Sequence, residues 1–126
     1  MFDPDKYRSV IWLKGGRVFP KLDCFGIVNE VRRDLGLNEW PDFSGVTKDG
    51  AGLDREAKKL MLSLQRCEPE EGAGVACYSG SMVTHVGIVI RMADQLYVAE
   101  CNPGSNVTFQ PVARFVRPYV KVEFWK

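Results

Sequence analysis

The run Gly72-Ala73-Gly74-Val75-Ala76-Cys77-Tyr78 marks the point at which the chain changes period. From here onward β-branched and aromatic residues come in short runs broken by Gly, Ser, Asn and Pro, the pattern of extended strands. Strands are expected at 75–78, 83–91, 95–101, 106–110 and 119–125. The breaks Ser79-Gly80-Ser81, Met92-Ala93-Asp94 and Asn102-Pro103-Gly104-Ser105 are short enough to join antiparallel neighbours. Upstream the period is helical. Leu53, Ala57, Leu60, Met61 and Leu64 share one face of a helix that ends before Cys67-Glu68-Pro69, while Asp54, Arg55, Glu56, Lys58 and Lys59 occupy the other. Further upstream, Asp23 is placed to cap a helix carrying Cys24, Ile27, Val28, Val31 and Leu35 at i, i+3, i+4, i+7 spacing, with Gly36 as its stop. Between the two helices Trp40-Pro41-Asp42-Phe43-Ser44-Gly45 reads as a surface loop, and residues 1–22 read as a mostly irregular lead-in broken at Gly15-Gly16 and Pro20. Helices first and strands afterwards specify an α+β fold, with the helices against one face of an antiparallel sheet.

The 126 residues fit one domain spanning 1–126, and 45% hydrophobic against 26% charged residues supply a core without a disordered composition. Seventeen basic and sixteen acidic side chains leave a formal net charge of +1, which offers no electrostatic footprint for nucleic acid or an anionic membrane. No apolar run approaches membrane-spanning length, and Met-Phe-Asp-Pro-Asp-Lys lacks the basic and apolar regions of a signal peptide, so synthesis is expected to end in the cytoplasm. Cys24, Cys67, Cys77 and Cys101 form no Cys-x-x-Cys pair and share the chain with a single histidine, so no structural metal and no cofactor is expected. In a reducing compartment they are expected as thiols.

Three residues carry candidate chemistry. Cys24 opens its helix, where unpaired backbone N–H groups favour a thiolate, although it also belongs to the apolar stripe and can be read as core. His85 interrupts the strand Thr84-His85-Val86-Gly87-Ile88-Val89-Ile90 and shares a face with Gly87 and Val89, where the missing side chain of Gly87 is expected to leave space beside the imidazole. A lone strand histidine is commonly structural, yet any Cys–His nucleophile pair in this chain must use it. Glu100 lies in Tyr97-Val98-Ala99-Glu100-Cys101, either as an edge glutamate facing water or, if its strand pairs with that of His85, as the acceptor that orients the imidazole.

The order Gly15-Gly16, then Asp23-Cys24-Phe25-Gly26-Ile27-Val28, then His85-Val86-Gly87-Ile88 resembles the NlpC-type cysteine peptidases of the papain-like superfamily over nearly the whole chain. Gly72 to Tyr78 resembles the strand that enters the histidine hairpin, and Glu100-Cys101-Asn102-Pro103-Gly104-Ser105 resembles a segment of phage tail members, in which histidine usually stands at the position of Glu100. The resemblance implies a papain-like fold with Cys24 as nucleophile, His85 as base and Glu100 as third member. Trp12, standing where the family tends to carry a tyrosine, and Asp23 become the candidates for substrate contact. It further implies hydrolysis of the peptidoglycan stem peptide between D-γ-glutamate and a diamino acid, by an enzyme associated with phage or phage-like tail proteins and acting on the cell wall. Two other readings fit the same residues. One is a tail-tip structural protein that kept the fold without efficient catalysis; the other is a papain-like acyltransferase or thioesterase, since a Cys–His pair does not itself select water as acceptor.

Overall fold

In a computed structural model, described over residues 2–126, helix α1 (Cys24–Asp34) begins directly after Asp23, whose carboxylate accepts from the Phe25 and Gly26 N–H groups at 3.0 and 2.9 Å. The cap satisfies two of the amides that a helix start leaves unpaired. Ile27 and Val31 are fully buried, each removing side-chain surface whose burial contributes about 1.5–3 kcal/mol. Leu35 is the C-cap residue, and Gly36 at φ +74° takes the left-handed conformation that ends the helix.

The sheet that receives α1 has six strands in the order β4 (Arg66–Cys67), β9 (Lys121–Trp125), β5 (Gly74–Ser79), β6 (Met82–Met92), β7 (Gln95–Asn102), β8 (Asn106–Pro111), every neighbouring pair antiparallel. The fold is α+β, and its five long strands follow the expected runs to within two residues at each end. Val86, Ile88, Ile90, Ala99 and Cys101 face α1 and helix α2 (Gly52–Met61) in one hydrophobic cluster. Val75, Cys77, Val89, Val98 and Phe124 form a second cluster on the opposite face, closed by Phe115 of the short helix α3 (Val112–Phe115). Helices therefore cover both faces, not one. The four residues of α3 are too few to show a helical period in sequence.

Three further differences arise from tertiary pairing. The lead-in contains a 3-10 helix, Pro4–Ser9, and a small sheet in which β1 (Ile11–Trp12) runs parallel and β2 (Arg17–Val18) antiparallel to β3 (Lys21–Leu22). These two-residue strands carry no alternation that a sequence pattern can reveal. Helix α2 stops at Met61, and only Leu53 and Ala57 of its predicted stripe are fully buried. Strand β4, read in sequence as a helix end, exists because Arg66 and Cys67 pair with Trp125 and Phe124 at the far end of the chain. No helix among the described residues is long and apolar enough to cross a membrane.

Candidate active site around Cys24, His85 and Glu100

Strand β6 carries one extra residue opposite β5: Cys77 pairs with His85 but Tyr78 pairs with Val83, leaving Thr84 bulged toward solvent. A bulge shifts the alternation by one. Val83 accordingly packs in the α1-side cluster while His85, two residues on, lies on the other face beside Cys77. The hairpin β6–β7 pairs Ile88 with Ala99, and this register puts Glu100 on the same face as His85. Both side chains are about 7% exposed, and His85 Nε2 lies 2.8 Å from Glu100 Oε1.

Glu100 is held by three donors. Asn102 Nδ2 donates to Oε1 at 2.9 Å and Gln110 Nε2 to Oε2 at 3.2 Å, in addition to the imidazole. Burial pushes its carboxyl up, but the His85 hydrogen bond and charge, with Asn102 and Gln110, outweigh it and leave the group below the ordinary glutamate range. An ionised acceptor obliges Nε2 to carry the proton, so the neutral imidazole presents a bare lone pair at Nδ1. That Nδ1 is buried and has no hydrogen-bond partner among the described residues.

Cys24 comes from the other layer. The β6–β7 ladder stops at Ile88–Ala99, and beyond it the backbone amide of Val86, the residue after His85, acts on the Cys24 thiol. The thiol is 2% exposed. Burial pushes it up to about 11 and Asp23 adds to the rise; Lys48, the Val86 amide and Arg17 pull the other way. The helix start therefore does not activate the thiol unaided, because its burial outweighs the N-terminal field.

Asp23 is occupied on every side. Besides the two helix amides, its Oδ1 accepts from Arg17 Nη1 at 2.7 Å and its Oδ2 from the Gly15 N–H at 3.1 Å. It pins the Gly15-Gly16 loop to the start of α1 and lines the groove that reaches Cys24, with three donors on Oδ1 and one on Oδ2. Asp23→Ala is expected to destabilise the protein by about 2 kcal/mol through loss of the cap and of Arg17's partner, measured by urea unfolding. A loss below about 0.5 kcal/mol would show that the Arg17 and Gly15 contacts contribute nothing beyond a weak cap.

Trp12 is half-buried on the wall of a groove of about 570 Å³ that reaches Cys24, and Asn106 fixes it by accepting from its backbone N–H at 2.9 Å. Lys14, Thr47, Lys48, Asp49 and Pro103 complete that groove and were not legible beforehand, since loops reach it from three separate parts of the chain. A second hollow, strongly apolar and lined by Phe25, Trp40, Phe43 and Trp125, adjoins the thiol's neighbours Phe25 and Val86 from the other side. Gly87 does not leave room beside the imidazole: a Cβ there would lie 2.9 Å from the Ala99 carbonyl oxygen, so β7 has closed onto it. Asn102 sits two residues after Glu100, which period-two alternation places on the same face, whereas Gln110 needs the β7–β8 register to be found. Cys67, Cys77 and Cys101 are free thiols; the last two are buried and pushed up to about 12. Among the described residues no group of three or more His, Cys, Asp or Glu side chains is arranged to hold a metal ion. No family model matches the chain, and no curated protein matches it.

Proposed function

We propose that the chain is a cysteine peptidase or amidase with a papain-like, NlpC-type fold, hydrolysing peptidoglycan stem peptides at the bond between D-γ-glutamate and a diamino acid as a phage or phage-like tail-associated enzyme. The observation that carries this reading is the buried, unpartnered Nδ1 of His85, whose other nitrogen is locked onto Glu100 and whose chain neighbour Val86 acts on the Cys24 thiol through its backbone amide. A buried acceptor without a donor costs free energy, and proton transfer from the thiol supplies the missing proton. The S–H bond breaks, the proton moves to Nδ1, and the sulfur attacks the carbonyl carbon. Asp23 consumes the Phe25 and Gly26 amides, leaving the Cys24 N–H to receive the developing oxyanion. Collapse to the thioester expels the amine with the imidazolium proton, and water, deprotonated by the same Nδ1, releases the acid. Digestion of purified peptidoglycan, with masses of the products, tests activity and bond choice together; intact muropeptides after exhaustive incubation would refute the reading.

One observation favours the tail-tip structural reading: Cys24 is nearly inaccessible and pushed up to about 11. The two readings differ in alkylation at neutral pH, where a thiol at that value is ionised to about one part in ten thousand, whereas an imidazolium-paired thiol reacts far faster.

Glu100→Gln keeps an acceptor for Nε2 and removes the charge. The imidazolium loses its stabilising anion, so both limbs of the pH–rate profile are expected to move to lower pH and the maximum to fall roughly tenfold. The linkage to stability has a definite sign. Because the folded-state carboxyl lies below its ordinary range, its contribution is present above that range and is lost as pH falls through the depressed value. The variant is expected to lack this acid-dependent loss in unfolding curves measured across pH. An unaltered rate profile would leave a Cys24–His85 dyad.

A further inference from the structure

Charge in the groove beside Cys24 cancels pairwise with one exception. Lys14 pairs with Asp49, and Asp23 with Arg17. Lys48 lines the same groove as Cys24, and among the described residues it forms no ion pair. Its nearest polar contact is Asn102 Oδ1 at 3.5 Å, at the outer limit of a hydrogen bond. Lys48 is also the largest favourable charge acting on the thiol, so its ammonium acts within Coulombic range of the sulfur. Trp12 and Pro103 wall the space that this cation faces.

We propose that Lys48 is a specificity-determining residue that selects substrates bearing a carboxylate close to the carbonyl under attack. The inference rests on the cysteine-hydrolase reading and names the substrate chemistry that site prefers. A γ-linked acidic residue keeps its own carboxylate free beside the scissile linkage, and that group would supply the charge Lys48 lacks. Lys14 does not compete for it, being neutralised by Asp49.

Two alkylating agents of nearly equal size separate the effect from catalysis. Iodoacetate and iodoacetamide both form a C–S bond at the thiolate and release iodide; only the first carries an anion. Site-resolved rates are read by peptide mass mapping, with the partly exposed Cys67 as internal reference. Relative to Cys67, Cys24 is expected to favour iodoacetate, and this preference is expected to fall about fivefold in Lys48→Met, to persist in Lys48→Arg, and to shrink at high salt. A preference unchanged in Lys48→Met overturns the role of Lys48 while leaving a reactive nucleophile in place. Failure of Cys24 to react with either agent, while Cys67 reacts with both, overturns the hydrolase reading and the inference with it. Lys48 is exposed on a loop, so both variants retain the core contacts and their fold is verified by thermal melting.

Discussion

Replacing Cys24 by alanine is expected, on the proposed hydrolase reading, to bring turnover of peptidoglycan below detection while changing stability by about 1 kcal/mol, because one buried sulfur is lost from a well-packed helix start. No other thiol can substitute. Cys77 and Cys101 are buried and pushed up to about 12, and Cys67 sits at the sheet edge in β4, paired with Phe124. Cys24→Ser nearly conserves the side-chain shape, so it tests chemistry with the packing preserved, and it too is expected to be inactive because a serine hydroxyl is far harder to ionise. Turnover measured beside a thermal melt distinguishes a chemical from a structural loss. A fully active, normally folded Cys24→Ala protein would remove the nucleophile from the mechanism.

His85→Ala is expected to lower turnover by at least about a thousandfold. On the proposed reading it is also expected to slow alkylation of Cys24 at neutral pH, since no imidazolium can then pair with the thiolate. The substitution leaves the Glu100 carboxylate buried on Asn102 and Gln110 alone, so some loss of stability accompanies it. His85→Gln, which can still donate to Glu100, separates the two effects: it is expected to recover stability without recovering rate. Because the chain contains one histidine, near-native turnover in either variant would exclude imidazole catalysis altogether.

How much of this was legible beforehand follows from the range of the interactions involved. The cap at Asp23, the stripe of α1 and the five long strands are local patterns, written in spacing and turn chemistry, and they appear with boundaries close to those expected. The face occupied by Glu100 was readable only conditionally, because a shift of one residue reverses it. The bulge at Thr84, which sends Val83 and His85 to different layers, carries no sequence signal: it depends on how β5 and β6 pair. Lys48 and Lys14 belong to segments brought beside Cys24 by tertiary folding alone. The thiol's high proton affinity was missed for a related reason. The position of Cys24 at a helix start is local, whereas the depth of its burial is set by the strands above it.

Cys24 stands on a helix packed on one side of the sheet, whereas His85 and Glu100 stand on a strand face buried on the other. On the proposed reading, hydrolytic competence is therefore conferred only when both layers are in place. Lesions in the helical layer and lesions in the buried strand face would then abolish the same activity.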